Sequence, residues 1–376
     1  EIDENFEHIH ILSVSAPDNR NMVLFPEKID GEVHPFRAKQ TIREMLVMQT
    51  AASTASWFED PEPDRTRMYI NKPALSILRP SGTTWIYDSA GSQVMSSLVE
   101  KITGKKLFDF LYERIFKELG TFKTATILET RNGDSWGDSA LVCTSRDMAS
   151  FGRFVLNYGN WNGKQLLNEA YLRKATSNLV SNDETAWPNC FRHGYGYQIW
   201  RTEQDGFAFV GMGDQLAICV PGKDLIFVCT ADNQGSEFST ELIVNGFYEY
   251  IVDEISDTPL PKNENNSKML NSLINSLELY CEYGYIDSPY REIINGVTYK
   301  CEENQMGIKS FRFDFANDKE GTLTYENENG KMVLPFKINS NYFGKFPELG
   351  YSDMQGGIRT KNGHRYRSAT SAAWKE

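Results

Sequence analysis

Two short stretches carry residue types that could do chemistry. Tyr87-Asp88-Ser89 stands where a loop gives way to a helical pattern. A tyrosine there can have its pKa lowered by the helix N-terminus and by neighbouring cations, which would make a phenolate available as a base. The plain alternative is a buried aromatic followed by an Asp/Ser helix cap. Gly211-Met212-Gly213-Asp214-Gln215 falls where one strand-like run gives way to the next. Glycines at such a point let a ligand approach an edge-strand backbone, as an oxyanion-binding N–H requires. A simple bulge or hairpin would use the same residues. His8 and His10 share one face by period two but lack a third ligand, and His193 stands alone, so no histidine is assigned a role. There is no Cys-x-x-Cys or His-x-x-x-His pair, and neither a metal nor an organic cofactor is expected.

The elements that would position these residues follow from periodicity. Residues 41–49 place Ile42, Met45, Leu46 and Met48 on one face behind Thr41 as N-cap. Ser89 to Thr103 repeats Val94, Met95, Leu98, Val99 and Ile102 at helical spacing and stops at Gly104. Leu107 to Leu119 stops at Gly120, and a further helix starts with Ser145 as cap and ends before Gly159. The stretch 61–82 reads as surface loop. Near residue 195 the texture changes to short runs, Tyr195–Trp200, Phe207–Val210, Gln215–Val220 and Leu225–Ala231, as in an antiparallel meander. A closing helix from roughly Thr240 to Ser256 would bury Leu242, Ile243, Phe247, Tyr250 and Ile251. Residues 257–267 form a polar, Pro-containing linker. Beyond it Phe311, Phe313 and Phe315 alternate with charge, and Asn329-Gly330 signals a hairpin, so the last segment is mostly β.

Composition sets the outer limits. The chain has 376 residues, enough for two or three domains, with 39 basic against 51 acidic side chains and a net charge of −12. Such a balance repels a phosphate backbone or an anionic membrane, so no nucleic acid partner is expected. No run of eighteen apolar residues exists, so no spanning helix is expected either. Six cysteines are too sparse for a disulfide scaffold, and Cys143, Cys219 and Cys229 sit in apolar runs as small hydrophobes. The absence of a basic signal-like start leans towards the cytoplasm. A chain opening on Glu1 without Met, and stopping just after a strand start, reads as incomplete at the N-terminus and truncated at the C-terminus.

Residues 80–120, 136–167 and 195–233, taken in this order, resemble the serine β-lactamase and penicillin-binding-protein-like hydrolases, most of all the class C-like esterase and peptidase branch. The resemblance runs from about residue 11 to 256. It implies an α+β fold of β-lactamase/transpeptidase type, an antiparallel sheet flanked by helices, over residues 1–256. A smaller, mostly-β accessory domain then covers 268–376. It also implies an acyl-enzyme mechanism on an ester, an amide or a D-amino-acid peptide, with a small molecule or peptide as the partner and no cofactor. In that family a Ser-x-x-Lys motif supplies nucleophile and lysine, a Tyr-x-Asn motif supplies a tyrosine acid/base, and a glycine-containing strand supplies an oxyanion N–H. Tyr87 takes the tyrosine role, with Ser89 where the family has Asn. Gly211 and Gly213 match the third motif, which makes the N–H of Asp214 the oxyanion donor. The Asp214 carboxylate must then point away from the developing charge.

Ser13-Val14-Ser15-Ala16 has the look of the family's first motif, with Ser13 at the nucleophile and Ala16 where the lysine belongs. Only residues 17–24 separate Ala16 from the family-like Phe25-Pro26-Glu27, too few for the roughly 11-residue helix of a typical domain. A serine without a base within reach is a poor nucleophile. The competing expectation is therefore a catalytically silent ligand- or peptide-binding module on the same scaffold.

Overall fold

The structure is a computed structural model that describes residues 41–50, 80–130, 132–185, 188–233, 236, 238–256, 258–304, 306–348 and 367–375. The chain divides into two units, one running to Thr258 and the other starting at Pro259. In the first unit, α1 (Ile42–Leu46) is opened by Thr41, whose side chain and that of Glu44 cap each other's backbone. Next comes α2 (Ser89–Thr103), closed by Gly104 at φ 67°. Helix α3 (Leu107–Leu111) passes through a π-turn at Tyr112–Phe116 into α4 (Lys117–Leu119), closed by Gly120. The cap of α5 (Ser145–Leu156) is Thr144, not Ser145: its hydroxyl accepts from Asp147 N while Asp147 accepts from Thr144 N. A threonine one residue earlier makes the reciprocal pair, leaving Ser145 as the first helical residue. Helices α6 (Glu169–Ala175) and α7 (Ser239–Phe247) follow, α7 continuing as a π-turn over Tyr248–Val252.

Short strands β1 (Thr126–Ile127) and β2 (Leu141–Val142) pair with each other, as do β3 (Asn160–Trp161) and β4 (Lys164–Gln165). The main sheet is β5 (Trp200–Arg201), β6 (Phe207–Gly211), β7 (Gln215–Val220) and β8 (Leu225–Cys229), antiparallel throughout and in chain order. The expected strand Tyr195–Trp200 is mostly irregular. Tyr195 bridges Val180 and Trp200, and only Trp200 enters the sheet. Side chains on β7 alternate between two cores. Cys219 packs with Phe116, Phe154 and Phe207, whereas Leu216, Ile218 and Val220 pack with Trp85, Tyr195, Trp200 and Phe247. Both faces are covered, which is why QLAICV is apolar without a polar alternate. Gly152 lets α5 lie close on the sheet, since a Cβ there would sit 3.3 Å from Cys219 Sγ and from Ile226 Cγ2.

The buried face of the closing helix differs from the expected one. Val244, Phe247, Tyr248 and Val252 are buried, while Leu242, Tyr250 and Ile251 are exposed. The π-turn adds a residue after Phe247, so Val252 takes the buried place that a 3.6 period gives Ile251, whereas Leu242 already faces outward in the regular helix before it.

In the second unit, α8 (Glu264–Ser276) begins inside the polar stretch read as linker, so 257–267 is not loop throughout. After α9 (Tyr290–Ile294) come β9 (Thr298–Lys300), β10 (Ser310–Phe315), β11 (Glu320–Asn327), β12 (Gly330–Ile338), β13 (Tyr342–Lys345) and β14 (Arg367–Ala372). They form one sheet in the order β13-β14-β12-β11-β10-β9, mixed because β12 and β14 run parallel. Glu328 and Asn329 make the β11–β12 turn, and Gly330 takes φ 105°. Phe313 and Phe315 pack edge-on to Phe336. The whole is α+β: a helix-flanked antiparallel sheet with an added β-rich region.

Candidate active site

Tyr87 lies two residues before α2, on backbone fixed by the chain end of α1. Gly82 N donates to Gln49 O at 2.8 Å and Ile86 N to Met48 O at 3.0 Å. Asp88 occupies the N-cap position but makes no side-chain cap hydrogen bond. Its carboxylate instead accepts from Thr50 Oγ1 at 2.7 Å, both residues being buried. Gly91 makes room for this, because a Cβ there would come 2.7 Å from Asp88 Oδ2. Ser89 is the first residue of α2 and is half-buried. The simple cap alternative for Asp88 is thus replaced by a tie between α1 and α2.

The Tyr87 ring stacks on Trp200 at 5.7 Å and 20°, and Trp200 in turn meets Trp85 and Tyr195 edge-on. The phenol is not eased towards ionisation, as the sequence reading expected. Burial pushes it up, and the carboxylates of Asp138 and Asp88 push it further. Two carboxylates and desolvation oppose the phenolate more than the helix terminus favours it.

Asp138 is the residue that sequence reasoning missed. Its loop is clamped to α2 by Gln93, a fully buried side chain. Gln93 Oε1 accepts from Gly137 N at 3.0 Å, and Nε2 donates to Ser135 O at 3.0 Å. Two turns further along α2, Ser135 Oγ donates to Glu100 Oε1 at 2.5 Å. Gly137 permits the contact, since a Cβ would fall 2.3 Å from Ser96 Cβ. Burial pushes the Asp138 carboxyl up to about 7, although Ser139 Oγ donates to Oδ2 at 3.0 Å and the Trp136 side chain also favours the anion. The only signal in the sequence was a glycine beside an acid, and its contact lies some forty residues away on α2.

Gly211 pairs with Gln215, leaving 212–214 as a tight turn between β6 and β7. Gly213 and Asp214 adopt φ 74° and 68°, and a Cβ on Gly211 would meet Gln215 Cβ at 2.9 Å. The Asp214 carboxylate is turned towards α7: it accepts from Thr240 Oγ1 and, at 2.9 Å, from Asn233 Nδ2. Burial alone would raise its pKa, but hydrogen bonds from Thr240, Ser239 and Asn233 outweigh it and hold the group below its ordinary value. A cavity of about 250 Å³ opens between this turn and Ser236, Ser239 and Thr240. Val210, next to Gly211, and Tyr87 pack on the same cluster of Trp85, Tyr195, Trp200 and Leu216.

Ser13 and Ala16 lie outside the described residues, as do His8 and His10. His193 is exposed. Cys219 and Cys190 are buried thiols whose pKa burial pushes up to about 12, and Cys143 is half-buried and pushed up to about 11. Among the described residues no group of three or more His, Cys, Asp or Glu could hold a metal ion, and no helix is long and apolar enough to cross a membrane.

Comparison with known proteins adds to this geometry. Residues 35–243 match the Beta-lactamase family model, a match that starts after Ser13. A curated relative, the 6-aminohexanoate-dimer hydrolase of Paenarthrobacter ureafaciens, is 26% identical over 188 residues, covering 48% of this chain and 47% of that protein. The chain therefore spans less than half the length of the curated relative it matches. Among solved structures, a Bacillus anthracis protein of assigned 6-aminohexanoate-dimer hydrolase type aligns with TM-score 0.48 and 22% identity, over 59% of this chain and 63% of its own. A penicillin-binding protein homologue from Caulobacter crescentus aligns with TM-score 0.42 and 15% identity, over 52% and 66%. With more than half its length matched by one family model, the chain belongs to the beta-lactamase family of serine hydrolases.

Proposed function

We propose that the chain hydrolyses an ester, an amide or a D-amino-acid peptide through an acyl-enzyme on Ser13. Tyr87 moves the proton between the serine and the leaving group, and the turn at Gly211 to Asp214 offers a backbone N–H to the oxyanion. The observation that supports this most is the shared packing of Tyr87 and the end of β6 on one aromatic cluster, which brings the second and third family motifs to the same side of the sheet. The Asp214 carboxylate, tied to Thr240 and Asn233, leaves its own N–H free of a competing anion in that role. The matched relative is named for a linear amide dimer. For this chain the reading stays with the wider class.

Ala16 gives the second reading its footing, since no lysine stands at the third position after Ser13. A silent module would keep the cleft and lose the covalent step. Intact-protein mass spectrometry after incubation with a fluorophosphonate separates the two. The hydrolase reading expects one adduct, mapped to Ser13 and lost in Ser13→Ala. No adduct, or adducts spread over other serines, would leave the binding module.

A further inference from the structure

We propose that the cavity between the β6–β7 turn and the start of α7 is a substrate subsite for a positively charged end group, a primary ammonium, with Asp214 as its counter-ion. The cavity holds about 250 Å³ and is lined by Met212, Gly213, Asp214, Asn233, Ser239 and Thr240. A pocket for a whole drug-sized ligand has roughly 300–1,000 Å³, so this one suits a single end of a substrate. The donors in its wall are already engaged. Thr240 Oγ1 donates to one oxygen of Asp214, Asn233 Nδ2 to the other at 2.9 Å, and the Ser239 hydroxyl to the same carboxylate. A hydroxyl has one proton, so Ser239 and Thr240 keep only lone pairs for a ligand. The carboxylate and these oxygens make an acceptor-rich wall, which a cation with several N–H groups satisfies and a second anion does not.

Charge points the same way. Asp214 is 4% exposed, and among the described residues no Lys, Arg or His forms an ion pair with it. The start of α7 contributes roughly half a positive charge, which the full charge of Asp214 outweighs. The place where an anion would meet this helix end is thus already taken by a side chain of the protein. Glu241, on the same helix, adds to the negative field: its carboxylate and that of Asp214 both oppose ionisation of the Cys190 thiol. Met212 stands 66% exposed on the turn and offers an apolar surface to an alkyl chain that leads to the ammonium.

The subsite rests on the hydrolase reading for its use. There the backbone N–H of Asp214 meets the oxyanion, while its side chain, turned towards α7, meets the cation. One residue then holds two points of the substrate, and the ammonium lies close to the scissile carbonyl. Within the wider class this favours esters and amides that carry an amine, and disfavours substrates that present a carboxylate at the same point.

The test reads binding without turnover. The full chain carries carbon-13 in its methionine methyl groups, and the Met212 resonance is identified by its loss in Met212→Leu. Three probes of equal chain length, n-pentylammonium, n-pentanol and n-pentanoate, are titrated at neutral pH and constant ionic strength. The expected result is a saturable shift of Met212 with n-pentylammonium, at a midpoint about tenfold or more below that of n-pentanol, as a charge-assisted hydrogen bond gives. With n-pentanoate no saturable shift is expected. In Asp214→Asn the advantage of the cation over the alcohol is lost, while the resonances of buried Met45 and Met48 stay in place and report an intact fold. Asparagine tolerates the left-handed backbone, φ 68°, that this position needs. Should the variant fail to fold, the three probes on the parent still decide, because a carboxylate that only ties the turn to α7 gives no preference for a cation. Binding of n-pentanoate as tight as that of n-pentylammonium, no advantage of the cation over the alcohol, or an advantage undiminished in folded Asp214→Asn overturns the subsite. Selective cation binding in a chain that forms no Ser13 adduct would remove the hydrolase reading and leave the subsite standing. A Ser13 adduct without cation preference would do the reverse.

Discussion

Asp214 is buried and Asp138 half-buried, and their surroundings send the two carboxylates in opposite directions. Asp214 has donors on both oxygens, so its folded-state pKa lies below the ordinary 3.8. Its contribution to stability is present above that ordinary value and is lost as pH falls through the folded value. Asp214→Ala leaves Thr240 and Asn233 without their acceptor, and should cost roughly 1.5–3 kcal/mol at pH 7. Urea unfolding should show this cost shrinking below pH 4. Asp138 behaves the other way. Its pKa is raised, so the folded state favours the protonated form; the associated stability is complete below 3.8 and is lost as pH rises through about 7. Asp138→Asn should therefore gain on the parent between pH 5 and pH 8, by an amount on the order of 1 kcal/mol or more. Parallel urea midpoints for parent and variant at the two pH values would show that Asp138 does not titrate in that window. The Asp214 shift leaves this comparison clean, because its transition lies below pH 4.

At the scale of elements, α2 does more than its apolar pattern announces. Periodicity read its ends correctly, from Ser89 to Gly104, because a left-handed glycine cap is a local signal. It did not read its buried face, where Gln93 and Ser96 stand beside Ala90 and Val94. A glutamine scores as surface in any hydropathy pattern, yet here both ends of its amide meet the backbone of a loop more than forty residues later. Gln93→Met keeps the volume, strands Gly137 N–H and leaves Ser135 C=O with only the longer bond from Ser96 Oγ at 3.4 Å. It should lower stability by roughly 1–3 kcal/mol for each group left unsatisfied, read as a fall in thermal midpoint. A variant as stable as the parent would mean that solvent replaces the clamp. The same limit explains α7 and its π-turn. A 3.6 period places Ile251 one turn after Phe247 on the core face, but the residue added by the π-turn gives that place to Val252. The last three strands of the meander and the β11–β12 hairpin were legible because strand composition and turn chemistry are local. The turn nevertheless sits at Glu328-Asn329, one residue before the expected Asn329-Gly330, and Tyr195–Trp200 is mostly irregular. Asp138 was not, since its role depends on where two distant segments meet.

At the scale of the whole molecule, the polar stretch after the first unit sets how the chain comes apart. The division falls between Thr258 and Pro259, and α8 starts at Glu264 behind Asn263, whose side chain accepts from Asn266 N. Residues 258–263 are exposed and outside helix and strand, which leaves Lys262 on accessible backbone. The meander before it is different. Lys223 sits on a surface turn, but the strands on either side pair along their full length and Val220 is buried. Protease needs several residues of unfolded chain, and opening at Lys223 would break the β7–β8 ladder that opening at Lys262 does not touch. Brief trypsin treatment should therefore release a fragment whose N-terminal sequence begins at Asn263 before any cut appears between residues 195 and 256. Earlier cleavage after Arg201 or Lys223 would mean that the sheet opens more readily than the connection, and that its two covered faces stabilise it less than their burial implies.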